Sequence, residues 1–394
     1  MTDEIALTVQ QEAAVDLVCT DKFGCITGGP GTGKSTLVRE ATRRLAAERK
    51  SFALCAPTGK AAKRLSEASG REARTIHRLL KITPGMAASD AELPYDVIIA
   101  DEASMIDTEL MSVLMNACSK NRCRLVLVGD ADQLPSVGPG MVFRELLRLD
   151  DVAKVTLTHV HRAAQESWIG RNAPRIRDGE MPELEEATDF RFHRAQSVSS
   201  VISILTDGYR KVEPETEPLL LTPQNKGPLG TVALNNLIQS LYNPPDEHRA
   251  WDFKQEYLLD LNDPVIQTRN DYELGVFNGE IGDVVDITRE ALTISFDGRS
   301  VTYKKRDAWN LKLAYALTVH RAQGSEANCV IFIAHPTHGF MLSRSLFYTA
   351  VTRSKNEVAI IGTEGAIAGA VNKISDSKRN TLLSVRIAEA REAV

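Results

Sequence analysis

Gly28-Gly29-Pro30-Gly31-Thr32-Gly33-Lys34-Ser35 is the stretch that decides the fold. It spells G-x-x-x-x-G-K-S, the phosphate-binding P-loop. Phe23-Gly24-Cys25-Ile26-Thr27 before it reads as a short buried strand. Thr36 to Arg49 after it keeps a helical pattern through Leu37, Ala41 and Leu45. A glycine-rich turn between strand and helix lets backbone N–H groups curl around an anion, and the helix N-terminus adds favourable partial charge. Residues Gly29, Pro30, Gly31, Thr32, Gly33, Lys34, Ser35 and Thr36 are therefore expected to cradle a nucleotide. Lys34 would reach the β- and γ-phosphates of ATP, and the Ser35 hydroxyl would ligate Mg²⁺.

Working outward, Leu7 to Val18 suits a short helix with Thr8 as N-cap. Gln11 on it is a candidate for the adenine edge, because an amide donates and accepts at once. Ser51 to Ala56 is a second apolar strand, leading into Pro57-Thr58-Gly59-Lys60 and a basic helix. Such turns lie on the ligand face of a parallel sheet, so Thr58 and Lys60 are candidates for a second set of phosphates. His77 follows; taken alone, a histidine there is more often a packed or surface residue. Residues 81–93, broken by Pro84 and Gly85, read as a loop or short hairpin.

Tyr95 to Ala100 is a β-branched apolar strand that ends in Asp101-Glu102. An acidic pair at a strand tip downstream of a P-loop is the Walker B arrangement. Asp101 would hold Mg²⁺, and Glu102 would orient the attacking water. Cys123 to Val128 is a further strand, and Gln133 beyond it is expected near the γ-phosphate. These strands make one nucleotide-binding domain, residues 1–152.

The second half repeats the pattern. Leu219 to Leu221, Cys329 to Ile333 and Glu357 to Ile361 read as strands of a second α/β domain, residues 153–257 and 311–394. Between its parts, residues 258–310 break into short strands with turns at Asn278-Gly279 and Asp297-Gly298, an inserted antiparallel barrel. The chain has 394 residues, 43% hydrophobic and 25% charged, with no apolar run long enough to span a membrane. The N-terminus lacks the order of a signal peptide, and the six cysteines are scattered; reduced thiols in a cytoplasmic protein are expected. Net charge is −5, yet Arg39 to Lys81 carries 12 Lys/Arg against 4 Glu, while Pro245 to Glu290 carries 4 against 12 acids. A basic stretch in an acidic chain suggests a local anion-binding face.

Taken together, the P-loop, Pro57 to Lys63, Asp101 to Ser104 and Gly129 to Pro135 resemble motifs I, Ia, II and III of superfamily 1 helicases, in the wording of the RecD/Dda branch. Leu157 to Arg162 resembles the segment that carries an arginine finger. Leu219 to Gly230 resembles RecD-like chains specifically, and Leu317 to Glu326 and Phe347 to Ser354 resemble motifs V and VI. The resemblance implies an α/β fold of two RecA-like P-loop NTPase domains with a Src-homology-3-like β-barrel inserted in the second. It implies an ATP-dependent helicase that moves 5′→3′ on single-stranded DNA and opens ss/dsDNA junctions. Arg162 and Arg353 would stabilise charge on the transferring phosphoryl, with Gly324 and Glu326 near the nucleotide. Pro57, Thr58, Lys60, His77, Thr318, His320 and Gln323 would contact DNA or couple it to ATP. The 81–93 loop would be the strand-separating wedge, with Ile82 or Met86 at its tip.

A monomer is expected, with single-strand-binding or replication proteins as partners, in replication, repair or recombination, and no membrane. The sequence is expected to depart from cellular RecD-like proteins in lacking a long N-terminal extension, so acting alone or with partners, and a role in repair, recombination or phage replication, all stay open. Two alternatives also stay open: an RNA helicase of the same superfamily, and a nucleotide-gated DNA clamp that does not translocate.

Overall fold

The apolar runs expected as strands in the first half do pair, and every adjacent pair is parallel. The computed structural model describes residues 7–82, 91–159, 166–184, 188–211, 218–246, 250–252, 257–271, 273–304, 306–374, 383 and 385. The chain divides into two units, Met1–Glu166 with Ser375–Val394, and Ser167–Ile374.

In the first unit the strands are β1 (Phe23–Gly28), β2 (Phe52–Ala56), β3 (Ala73–Thr75), β4 (Val97–Ala100), β5 (Arg124–Gly129) and β6 (Ala153–Leu157). They lie in the order β3-β2-β4-β5-β1-β6. Helices are α1 (Val9–Thr20), α2 (Lys34–Ala47), α3 (Gly59–Ser69), α4 (Ile76–Leu79), α5 (Thr108–Lys120) and α6 (Val142–Leu146). Neighbouring side chains on each strand enter opposite cores. Ile99, Val126 and Val128 pack with Val15, Leu37 and Leu45, whereas Ile98, Leu125 and Leu127 pack with Leu79, Leu114 and Phe143. A sheet covered on both faces explains why its strands read as continuous apolar runs.

Two boundaries differ from the sequence expectation. The strand β6 runs beside β1 from Gly24↔Ala153 to Gly28↔Leu157, so the first unit continues past residue 152. An edge strand interrupted by Lys154 and Thr156 lacks the apolar signature of a central one. Leu383 packs on the first unit's core, so the tail expected with the second domain groups with the first. Of the 81–93 loop, residues 83–90, with Met86, lie outside the described residues. Ile82 is no exposed tip; it packs against the core beside buried Ala91 and Leu93.

In the second unit, β7 (Phe190–Arg194), β8 (Leu219–Thr222), β16 (Ala316–Thr318), β17 (Ala327–Ala334) and β18 (Ser354–Gly362) form a parallel sheet ordered β16-β8-β17-β18-β7. Its helices are α7 (Trp168–Asp178), α8 (Val198–Tyr209), α9 (Thr231–Tyr242), α10 (Arg344–Val351) and α11 (Glu364–Asn372). A short pair, β9 (Trp251–Asp252) and β10 (Leu258–Leu259), precedes an antiparallel sheet of β11 (Pro264–Gln267), β12 (Ile281–Ile287), β13 (Ala291–Phe296), β14 (Arg299–Lys304) and β15 (Leu311–Leu313). It occupies the expected barrel segment and extends it to Leu313. Asp297 and Gly298 both take positive φ, 50° and 81°, the tight hairpin turn that an Asp-Gly pair favours.

Asp263 joins this sheet to the parallel one. It is fully buried, and its carboxylate accepts from Gln239 (2.6 Å), Asn243 (2.7 Å), Tyr315 (2.8 Å) and the Asp260 N–H (2.7 Å). Burial pushes its pKa up, against the pull of these donors. Asp263→Ala would strand the donors in the interior. The expected loss is about 3 kcal/mol or more, read as a lower denaturant midpoint; an unchanged midpoint would show that the network is not holding the junction.

Candidate functional site

Parallel strands bring their carboxyl ends to one edge, and in the first unit that edge gathers the motif residues. The P-loop leaves β1 with Gly31 and Gly33 at φ 72° and 85°, a conformation that costs other L-residues energy. Gly33 is the N-cap of α2. Lys34 Nζ donates to the carbonyls of Gly28 (2.6 Å) and Gly29 (3.0 Å), folding back over its own loop. Thr32 is buried and its hydroxyl donates to Gly29 O at 2.8 Å. Ser35 is exposed on the first turn of α2. Pro30 and Gly31, at the loop tip, are likewise exposed, and Gly29 and Thr36 are half-buried.

Gln11, a candidate for adenine, is 2% exposed. Its Nε2 donates to Thr32 O (3.1 Å) and its Oε1 accepts the Thr8 N–H (2.9 Å). Both ends of the amide are thus engaged, the first with the P-loop and the second in a capping box at the start of α1. Here Gln11 acts as a brace between α1 and the phosphate loop.

Strand β5 lies between β1 and β4, and Asp101 follows β4 directly. Burial, then the neighbouring Glu102 carboxylate, raises the Asp101 pKa to about 6; the Glu102 N–H, Arg64 and Lys34 pull the other way. Two adjacent desolvated carboxylates are a natural seat for a cation. Among the described residues no cluster of three or more His, Cys, Asp or Glu forms a metal cage. A P-loop metal does not need one, since Ser35, Asp101, water and phosphate oxygens suffice.

Glu102 takes φ 51°, ψ 41°, an uncommon conformation for a non-glycine residue and one found at functional turns. Its N–H is held by Asp101 Oδ1 (2.9 Å) and its carbonyl by Met105 N (3.0 Å). Its side chain is nine-tenths buried and lies 3.6 Å from Arg64 Nη1 on α3. No local pattern in the sequence links Arg64 to Glu102; only the fold brings residues so far apart in the chain together.

Gln133 is buried in the loop after β5, its Nε2 donating to Asp130 Oδ2 at 3.2 Å. The same loop reaches the P-loop strand through Ala131 N and Thr27 Oγ1 (3.3 Å). At the end of β2, Pro57, Thr58 and Lys60 are half-buried. Thr58 caps α3 by accepting the Ala61 N–H (3.2 Å), which leaves its hydroxyl proton to donate. His77 follows β3 at the same edge, half-buried; burial lowers its pKa and Asp107 opposes that. The basic stretch is less free than its count suggests. Arg43 pairs with Glu40, Arg44 with Glu12, Asp16 and Glu40, and Arg74 with Glu72.

In the second unit the candidates separate to the two ends of the sheet. Thr318, 6% exposed, ends β16 level with Thr222, and half-buried His320 and buried Gln323 lie in the turns after it. Arg353 sits at the opposite, amino edge, where Ala327 N donates to its carbonyl at 3.0 Å. Its guanidinium is buried and donates to Thr349 O (3.2 Å), Ser325 O (3.4 Å) and Thr352 Oγ1 (3.4 Å), joining motifs V and VI. Gly324 takes φ 74°, and exposed Glu326 lies 3.8 Å from Lys355. Arg162 lies outside the described residues.

Three family descriptions match the chain: an AAA domain over residues 6–196, an ATP-dependent RecD-like DNA helicase SH3 domain over 234–296, and a UvrD-like helicase C-terminal domain over 313–361. The chain is 37% identical over 385 residues to the ATP-dependent RecD2 DNA helicase of Deinococcus radiodurans, covering 97% of this chain and 52% of that one. It is 30% identical to the RecBCD enzyme subunit RecD of Mycolicibacterium smegmatis, covering 92% of this chain and 72% of the subunit. The corresponding Mycobacterium tuberculosis subunit is 32% identical, covering 92% and 70%. The chain thus spans about half the length of the first relative and about seven-tenths of the other two. A solved structure described as Bacteroides Pif1 bound to ssDNA matches with a TM-score of 0.61 at 18% identity, covering 99% of this chain and 98% of that one. At that identity the likeness speaks for the fold alone.

Proposed function

Because the chain belongs to the RecD-like helicase family, we propose that it is an ATP-dependent DNA helicase moving 5′→3′ along single-stranded DNA and separating the duplex ahead. The observation that carries this reading is the shared strand edge of the first unit. There the P-loop, the Asp101-Glu102 pair, the Gln133 loop and the Thr58–Lys60 turn all lie at carboxyl ends of one parallel sheet. Phosphate chemistry and strand-facing donors are therefore built on one rigid frame.

In this reading Lys34 leaves its loop carbonyls for the β- and γ-phosphates. Ser35 and Asp101 hold Mg²⁺, which supplies charge neutralisation of the phosphates. Glu102 orients the attacking water and Gln133 reports on the γ-phosphate. Arg162 and Arg353 stabilise charge on the transferring phosphoryl. Thr58, Lys60, His77, Thr318 and His320 face the strand, and Gln323 links strand and nucleotide. The 81–93 loop is proposed as the strand-separating wedge. No described helix is long and apolar enough to cross a membrane. The reading is of a cytoplasmic monomer that acts at ss/dsDNA junctions.

The test is strand separation on duplexes with a single 5′ or 3′ tail, together with ATP turnover on DNA and RNA oligonucleotides. Unwinding from the 5′ tail only, with turnover stimulated by DNA, is expected. Opening only from the 3′ tail would reverse the polarity. Stimulation by RNA alone would favour the RNA helicase, and DNA binding without turnover the clamp.

A further inference from the structure

Arg64, on helix α3, stands beside Glu102, a candidate catalytic group. Helix α3 begins at Gly59 with Thr58 as its cap, so Lys60 and Arg64, four residues apart, share a face. The opposite face is seated on small side chains, Ala61 and Ala62 against Ala56, with Leu65 beyond them in the core. The strand-facing end of α3 and the guanidinium of Arg64 are thus parts of one short rigid body. That guanidinium stands 3.6 Å from Glu102 Oε1, the side chains being 31% and 9% exposed. The Glu102 backbone is tied on both sides of its strained turn, through Asp101 Oδ1 and Met105 N. The freedom left to the residue is the direction of its carboxylate. An ion pair in a partly desolvated site is strong enough to set that direction.

We propose that Arg64 is a positioning residue that restrains Glu102 in the strand-free protein, and that a single strand docking on Thr58 and Lys60 shifts α3 and releases it. A carboxylate held toward a guanidinium is aimed away from the water whose proton it must take. Released, Glu102 takes that proton as the water oxygen bonds to the γ-phosphorus. The bond from phosphorus to the bridging oxygen breaks, and its electron pair leaves with ADP. Hydrolysis is then fast only where nucleic acid is held. This rests on the ATPase reading above and adds to it the device that couples strand to turnover.

The experiment measures steady-state ATP turnover of the whole chain, without nucleic acid and at saturating oligodeoxythymidylate. In Arg64→Ala the strand-free kcat should rise by about fivefold or more, the lower end of typical coupling between two sites. The strand-saturated kcat should stay within about twofold, so the stimulation ratio collapses. Arg64→Lys, which keeps a charge without the planar fork, should restore part of the ratio. A merely structural arginine would lower both rates together and leave the ratio intact. If Arg64→Ala does not fold, Arg64→Gln keeps the stem and carries the same comparison. A ratio that survives in the folded variants, or a strand-free rate that falls, overturns the restraint. A wild-type protein with no turnover, or none stimulated by a strand, overturns the ATPase reading before Arg64 is reached.

Discussion

Lys34→Ala should bring ATP turnover to below about 1% of the wild-type rate, the effect of removing one charged donor from a phosphate in a preorganised site. The fold should survive. Among the described residues Lys34 donates to the Gly28 and Gly29 carbonyls of its own loop, so truncation removes two half-buried hydrogen bonds and no member of a hydrophobic core. Hydrogen bonds of this kind contribute roughly 1 kcal/mol each. Thermal melting separates the two effects. Without ATP, wild type and variant should melt within a few degrees of each other. With saturating ATP and Mg²⁺ the wild type should shift upward, as any ligand that binds only the native state requires, and the variant should shift much less. Wild-type turnover in Lys34→Ala would sink the P-loop assignment, whatever the rest of the sheet edge suggests.

Arg353→Ala should lower kcat by on the order of 10³-fold, with a smaller change in KM for ATP. A guanidinium acting on charge that develops in the transition state has this signature. The structure adds a second consequence. The Arg353 side chain is buried and bonded to Thr349, Ser325 and Thr352, so the truncation also unpins the amino ends of β17 and β18. A drop in melting temperature is expected alongside the kinetic one. Arg353→Lys distinguishes them: it restores a cation and much of the volume, but not the fork geometry. Stability should recover more than kcat. If kcat per folded molecule is unchanged in Arg353→Ala, the residue is a structural pin and the transition-state role falls.

The candidate site of the first unit was legible because each motif is a contiguous string with a local mechanism. A P-loop needs its glycines in place to turn the backbone, and an Asp-Gly pair makes a hairpin turn wherever two strands flank it. The central strands were legible for a related reason. Ile98 and Ile99 face opposite cores, so nothing polar interrupts the run. Edge strands gave no such signal. The three residues of β3 include exposed Arg74, and β7 has Arg191, His193 and Arg194 outside the core. Their place in the sheet comes from pairing with β2 and β18, partners that no local pattern names.

The sequence by itself determined the nucleotide chemistry, the presence of two α/β units and the inserted antiparallel segment, because backbone turns and apolar runs are properties of neighbouring residues. Tertiary structure decided what distant residues do to one another. It put Leu383 on the first core and four donors around Asp263. It spent the amide of Gln11 on the P-loop and brought Arg64 to Glu102. The reason is physical: a charge or amide is assigned its partner by the register of strands and the seating of helices, which are set only when the whole sheet closes its cores.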